Sequence, residues 1–457
     1  MFMSTSIQTS LPTFIYQSFQ DKLTNEGWQL TFAYRLGKLS FTHRVVFSCH
    51  HQQLRHLPIE LKQNLIFHLG LIESFSYWKL AASPQFILQA GALTTEQNKF
   101  WRQLLINGMG EYFYHNHLNW QQPVLGNFTS APTAPTFTQV KATSKNTYRF
   151  GIGVGGGKDS AVMMQLLAKQ KSWCNLIVTP CSPAAHHLAA FNGHPTYIIK
   201  RRFDPQLRSL NQTGMLNGHV PFSASLAFIL LLASQLYRIK AVLVGNEASS
   251  SEATTTYLNH PINHQYSKSF AFEKDLQTYC QKFLLDPCPY YSLLRPLSEL
   301  KIAQLFSNCQ SYFPLFRSCN RGQQQHCWCQ QCPKCLFVYL MLAPFIEEKV
   351  LATQIFSTNL LDQQENLTEL EKLLGLTKSK PFECVGTIAE SRAAFYLTFK
   401  YYQQQAKRSP ILLNKLADKI LPLQNDWETF CSHIINNLSP HSLPRELNQI
   451  VNEALSC

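Results

Sequence analysis

Much of the chemistry in this chain sits in one short stretch, Phe150-Gly-Ile-Gly-Val-Gly-Gly-Gly-Lys-Asp-Ser160. An apolar run enters three consecutive glycines, Gly155, Gly156 and Gly157, then Lys158, Asp159 and Ser160, then the amphipathic Ala-Val-Met-Met-Gln-Leu-Leu. Glycine lets a backbone turn tightly and present its N–H groups to an anion, and a helix start adds positive dipole. The stretch therefore reads as a phosphate cradle. It is not a G-x-x-x-x-G-K-[ST] loop, because the glycines stand too close and Lys158 is followed by Asp159. It also lacks the acid about 20 residues on that a G-x-G-x-x-G dinucleotide loop requires.

Further polar clusters follow. Asn217-Gly-His-Val-Pro221 precedes an apolar segment, and Gly245-Asn-Glu-Ala-Ser-Ser-Ser-Glu252 follows one. Asn263-His-Gln-Tyr-Ser-Lys-Ser269 is a polar row, and Ser318-Cys-Asn-Arg321 leads into Cys327-Trp-Cys-Gln-Gln-Cys-Pro-Lys-Cys335. Cys319, Cys329, Cys332 and Cys335 are spaced C-x₉-C-x₂-C-x₂-C, with Cys327 as an extra thiol. Four thiolates so spaced suit a closed, structural Zn²⁺ site, and the same ligands also suit an iron–sulfur cluster or a turn of reduced cysteines. Glu247 and Glu252 have the chemistry to position Mg²⁺ or to act as acid and base, with ordinary loop carboxylates as the competing reading. His219 and His264 suit phosphate contact or proton transfer, and Lys268 and Arg321 suit phosphate, against a plain core or surface role for each. In Pro381-Phe-Glu-Cys-Val-Gly386, Cys384 is either a buried structural thiol or a reactive one.

These residues need elements to hold them. Thr13–Tyr16, Trp28–Tyr34 and Phe41–Ser48 read as strands, apolar residues recur at helical spacing from Pro58 through Leu61, Leu65, Leu69 and Ile72, and another helix spans Thr95–Asn107. Gln122–Asn146 concentrates Pro, Thr, Ser and Asn and reads as a linker. Strand and helix then alternate: Arg149–Val154, Ala161–Lys169, Asn175–Val178, Pro195–Ile199, Ala224–Tyr237 and Ala241–Gly245. Alternation of this kind argues a parallel sheet covered on both faces, with ligands at the carboxyl ends of its strands. The pattern after about residue 345 is helical. The expected division is an N-terminal α+β domain over 1–121, a linker over 122–146, a catalytic domain over 147–345 and a helical region over 346–457.

Length and charge set outer limits. A chain of 457 residues is long for one core, and a net charge of +13 suits an anionic partner. The Lys and Arg residues are scattered, which favours small anions over a nucleic-acid face. The first residues carry no positive n-region or long apolar h-region, and the greasiest stretches fall short of a membrane span. A reducing cytoplasm is the expectation, so the 14 cysteines are to be tested as metal ligands before disulfides.

The glycine stretch resembles the S-G-G-x-D-S loop of the PP-loop ATP pyrophosphatases, with Gly155 where that motif has its leading Ser. The ordered set GVGGGKDS, NGHVP, NEASSSE, NHQYSKS, SLLRPLSELKIA, SCNR with WCQQCPKC, and PFECVG is similar to a narrower family. These are the ATP-dependent UDP-N-acetylmuramoyl-L-alanyl-L-glutamate epimerases of bacterial peptidoglycan synthesis, called MurL. The resemblance implies a PP-loop, adenine nucleotide alpha hydrolase-like core that binds ATP and Mg²⁺ and takes the UDP-MurNAc-dipeptide as its partner. It implies inversion of the terminal L-Glu to D-Glu through carboxyl adenylation, with release of AMP and pyrophosphate.

On that reading Gly155–Gly157 and Ser160 cradle pyrophosphate, Lys158 and Arg321 neutralise phosphate, and Asp159 with Glu247 holds Mg²⁺. The proton carriers are two of His219, His264, Lys268, Glu252 and Cys384. Rival readings are a PP-loop RNA-modifying enzyme, a synthetase making an amide or nitrile from a small carboxylic acid, and a zinc-containing nucleotide-binding module without activity. The scattered charge and the lack of an RNA-binding module in the first 120 residues weigh against the first.

Overall fold

A computed structural model of the chain describes residues 13–121, 125–141, 146–377, 380–405 and 407–455. The architecture is mixed α/β around one ten-stranded sheet, with a helical C-terminal region. The strands, in chain order, are β1 (Phe14–Thr24), β2 (Gly27–Leu36), β3 (Leu39–Phe47), β4 (Phe86–Leu88), β5 (Phe128–Ser130), β6 (Val140–Lys141), β7 (Tyr148–Gly153), β8 (Trp173–Thr179), β9 (Thr196–Arg202), β10 (Ile239–Val244), β11 (Thr255–Tyr257), β12 (His260–Ile262), β13 (Leu285–Asp286) and β14 (Tyr290–Ser292). The large sheet runs β14-β10-β7-β8-β9-β3-β2-β1-β4-β5, while β11–β12 and β13–β6 form two small ribbons.

Two sheet styles meet at β3 and β9. From β14 to β9 every pairing is parallel, and the strands are near-continuous apolar runs such as Trp-Cys-Asn-Leu-Ile-Val-Thr in β8. Helices Lys158–Leu166, Pro183–Asn192 and Phe222–Leu236 make the crossovers that parallel strands require. From β9 to β1 the pairings are antiparallel, and β1 to β3 form a meander. The expectation of strands in the first 50 residues thus holds, and these strands extend the parallel sheet. Within the stretch read as a linker, Phe128–Ser130 pairs with β4 as the edge strand; residues 122–124 and 142–145 lie outside the described residues.

The seam is fastened by charge as well as by the ladder. Arg201 of β9 donates to both carboxylate oxygens of Glu73, at 2.9 and 2.7 Å, and Glu73 lies on helix Ile59–Trp78. That helix is buried along nearly its whole length, so its apolar residues surround it rather than forming a stripe. The C-terminal helices, Ile388–Gln404 among them, pack with helices Glu299–Ser307 and Pro333–Leu342 in a second core. Among the described residues no helix is long and apolar enough to cross a membrane, and every cysteine is unbridged.

Candidate active site

The strand order reverses at β7. The chain proceeds from β7 to β8 and β9 on one side, then returns to place β10 and β14 on the other. In open parallel sheets the crevice outside such a reversal, at the carboxyl ends, is where ligands bind. The glycine loop leaves the carboxyl end of β7, and Gly245–Glu252 leaves that of β10. The two motifs therefore flank one crevice.

Loop geometry explains the glycines. Gly156 has φ +94°, and a Cβ there would lie 2.8 Å from the Ala185 amide nitrogen, so no side chain fits. Gly155 faces open space, so packing does not exclude the Ser found in the S-G-G-x-D-S motif. The Gly155 N–H donates to Ser160 Oγ at 3.1 Å, and the Arg317 N–H donates to the Gly156 carbonyl at 2.9 Å. The loop is thus braced from behind by the segment that enters the cysteine cluster.

Lys158 is only 2% exposed and is paired with Asp159 and with Glu299 of helix Glu299–Ser307. Its ammonium is committed to two carboxylates rather than held out toward solvent. Burial opposes that charge, but Asp159 and Glu299 outweigh it and raise the Lys158 pKa. One oxygen each of Asp159, Glu247 and Glu299 lies within 4.8 Å of the others. Burial also works against ionisation of Asp159, yet Lys158, Lys334 and Lys268 together hold its carboxyl below the usual range. Glu299 is raised, chiefly by burial, with Lys158 opposing and Asp159 and Glu247 adding to the effect. Three convergent carboxylate oxygens are a hard-cation donor set that fits Mg²⁺.

Glu299 belongs to SLLRPLSELKIA, a motif visible in the sequence with no role attached to it. Its one local signal, Ser298 capping the helix by accepting from the Lys301 N–H at 3.0 Å, is common to many helices. Behind it, Glu390 accepts the Glu299 N–H at 2.7 Å, and burial followed by the Glu299 charge pushes its pKa to about 7. Arg295 ties the remaining loops together. It donates to Glu273 at 3.0 Å, to Ser250 Oγ at 3.0 Å, and to the carbonyls of Glu247 and Lys268.

Lys268 links this group to a second one. Its Nζ lies 3.5 Å from Cys384 Sγ, and the Cys384 sulfur, against the cost of burial and with help from Glu247 and Asp159, raises its pKa. The rings of His219 and His264 lie 6.2 Å apart, and His264 Nδ1 is 3.0 Å from Thr254 Oγ1. Burial, then neighbouring cationic groups, lowers His219 to about 4 and His264 to about 3, so both are neutral near pH 7. Glu252 stands apart from the three carboxylates, 3.5 Å from Lys380 Nζ. Arg321 is exposed, and its charge acts on Glu383.

The four cysteines meet. Sγ–Sγ separations are 3.9 Å for Cys319–Cys332, 3.8 Å for Cys329–Cys335 and 3.4 Å for Cys332–Cys335. Zn–S bonds of about 2.3 Å in a tetrahedron set the sulfurs about 3.8 Å apart, so these residues fit the ion. Backbone N–H groups of Gly322 and Cys329 donate to Cys319 Sγ at 3.0 and 3.3 Å, which suits a thiolate. Cys327 is exposed and is not one of the four. Glu383 accepts from the Lys334 N–H at 3.0 Å and from Asn320 Nδ2 at 3.1 Å, which connects the cysteine turn to the segment bearing Cys384.

Two family models cover most of the chain: the MurL N-terminal domain over residues 5–293 and the MurL C-terminal domain over residues 315–428. Three relatives are named UDP-N-acetyl-alpha-D-muramoyl-L-alanyl-L-glutamate epimerase. That of Xanthomonas oryzae pv. oryzae (strain MAFF 311018) is 34% identical over 339 residues, covering 71% of this chain and 72% of its own. That of Micromonospora sp. is 32% identical over 386 residues, covering 82% and 83%. That of Salinispora tropica is 34% identical over 370 residues, covering 79% and 78%. No solved structure gives a significant match. On these likenesses the chain belongs to the MurL family.

Proposed function

We propose that this protein inverts the terminal L-Glu of UDP-MurNAc-L-Ala-L-Glu to D-Glu for peptidoglycan precursor synthesis, consuming ATP with Mg²⁺ and releasing AMP and pyrophosphate. The relatives' names support the epimerase and its substrate. One observation carries the ATP-dependent part: Asp159, Glu247 and Glu299 converge beside the glycine loop at the reversal of strand order, with Lys268 reaching from them to Cys384. The parallel half of the sheet is, on this reading, a PP-loop core.

The chemistry requires two stages. A carboxylate resists loss of its α-proton, because deprotonation sets a second negative charge beside the first. With ATP as co-substrate, a carboxylate oxygen attacks the α-phosphorus, a P–O bond forms and the bond to pyrophosphate breaks. The resulting mixed anhydride carries no carboxylate charge and withdraws electrons, so a side-chain base can take the α-proton. The electron pair enters an enolate-like intermediate that needs positive charge nearby, and Lys268 and Lys334 are suited to supply it. Protonation on the opposite face inverts the centre, and water cleaves the anhydride to the acid and AMP.

Gly155–Gly157 and Ser160 cradle the pyrophosphate. Asp159 and Glu247, joined by Glu299, hold Mg²⁺, which supplies countercharge to the phosphates when bound. Lys158 balances the carboxylates as the phosphates arrive. On this reading Cys384, Lys268, His219 and His264 border the substrate Cα and supply the proton carriers. Cys319, Cys329, Cys332 and Cys335 hold a structural Zn²⁺ that braces the segment behind the loop. A cytoplasmic location follows from the use of ATP.

Purified protein with ATP, Mg²⁺ and UDP-MurNAc-L-Ala-L-Glu, assayed for AMP and glutamate chirality, tests the reading. D-Glu formed only with ATP supports it. AMP formation that responds to tRNA and not to the dipeptide overturns it.

A further inference from the structure

The side chains clustered around Cys384 include a carboxyl that none of the polar sequence motifs contains. Glu111 lies in helix Gly110–His115, with its side chain 16% exposed. Its Oε2 is 3.6 Å from His219 Nδ1, and its Oε1 is 3.8 Å from His115 Nε2. Burial, with a contribution from Cys384, pushes its pKa to about 7. The groups facing it are therefore His115 on its own helix, His219 from the loop before helix Phe222–Leu236, and Cys384. Those acting on His219 are His264, Lys268 and Lys79.

Glu111 Oε2, His219 Nε2 and His264 Nε2 are buried atoms with no hydrogen-bond partner among the described residues. Buried polar atoms in native folds are nearly all paired, so three unpaired ones in one cluster point to a polar ligand or to proton traffic. The supporting structure is firm. Tyr112 Oη donates to the Lys79 carbonyl at 2.6 Å, Asn116 Nδ2 donates to the Asn217 carbonyl at 2.9 Å, and Lys79 Nζ donates to Asn217 Oδ1 at 2.5 Å. The helix carrying Glu111 and the loop carrying His219 are thereby fixed to each other, as a precise catalytic pair requires.

We propose that Glu111, acting with His219, is the proton carrier that faces Cys384 across the glutamate α-carbon. This rests on the epimerase reading above. In one direction Cys384 as thiolate takes the α-proton, and the C–H electron pair enters the enolate. On the opposite face His219 gives its Nε2 proton to carbon as its Nδ1 takes the proton of Glu111. Cys384 ends as thiol and Glu111 as carboxylate, and proton exchange with water restores both. In the reverse direction the roles exchange.

The test uses the full chain with ATP and Mg²⁺ in heavy water, starting from the L- and D-glutamyl substrates separately. Glu111→Gln lowers inversion about 100-fold or more, while first-turnover pyrophosphate release stays within about threefold of wild type. Deuterium still enters the α-position of one isomer without inversion, and the pH profile loses its limb near pH 7. His219→Gln gives the same pattern and serves where Glu111→Gln lowers the melting temperature. Inversion by Glu111→Gln within about threefold of wild type overturns the proposal, as does a parallel loss of pyrophosphate release. A wild-type chain that releases no pyrophosphate with this substrate contradicts the epimerase reading itself, and this proposal with it.

Discussion

The two halves of the site treat buried polar groups in opposite ways. Beside the glycine loop the carboxylates and Arg295 are matched, Lys158 with Asp159 and Glu299, Arg295 with Glu273 and two loop carbonyls, Glu390 with two backbone N–H groups, and Arg317 Nε behind the loop is the buried exception. Around Cys384, Glu111 Oε2, His219 Nε2 and His264 Nε2 are buried and unmatched. Matched networks make a region rigid. Each unmatched buried group costs about 1–3 kcal/mol, and three are a large fraction of the roughly 5–15 kcal/mol that keeps a domain folded. On the proposed reading, rigidity suits the half that would hold phosphates and a cation in register. Uncompensated groups suit a half whose work is to give and take protons, and such groups cluster at functional sites.

The sharpest way to break this comparison is to disable one half and watch the other. Asp159→Asn is expected to abolish AMP formation, a loss of at least about 100-fold, and α-deuterium exchange should vanish with it because deprotonation waits on activation. Retention of full pyrophosphate release would remove Asp159 from the activating half. Cys384→Ala should do the reverse, keeping first-turnover pyrophosphate release while incorporation of deuterium from heavy water falls about 100-fold. Unchanged incorporation would take Cys384 out of the proton-moving half.

The matched half makes weaker predictions about stability. Cys332→Ser, which removes one of the four convergent sulfurs, should lower bound zinc from one ion per chain to none by elemental analysis and reduce the melting temperature by several degrees. Full zinc content would contradict the four-cysteine assignment. Glu390 gives the smallest effect. Its folded pKa of about 7 stands above the ordinary 4.5, so the folded state binds a proton that the unfolded chain releases first. Stability from this group is full below pH 4.5 and is lost as pH rises toward about 7. Glu390→Gln should flatten that part of the melting temperature–pH curve, and an unaltered slope would refute it.

In both halves part of the site was legible in the sequence and part was not. Asp159 and Glu247 follow apolar runs that must be strands, and parallel strands put their carboxyl ends together, so local pattern already implied the crevice. The four cysteines were legible from spacing alone. Glu299 and Glu111 were not, because each is an ordinary acid at a helix start that only tertiary packing brings to the site. The burial of Lys158 was equally invisible, since it depends on a carboxylate 141 residues away. The joining of the N-terminal meander to the parallel sheet rests on the β3–β9 pairing, and no local periodicity encodes a partner at that distance.

The central claim is that the matched half activates the carboxyl so that the unmatched half can invert the carbon. Wild-type protein in heavy water, given Mg²⁺, UDP-MurNAc-L-Ala-L-Glu and either ATP or its α,β-methylene analogue, tests it most directly. With ATP the account predicts D-Glu carrying α-deuterium in step with AMP, and with the analogue neither. Inversion or deuterium uptake at an undiminished rate with the analogue would contradict it.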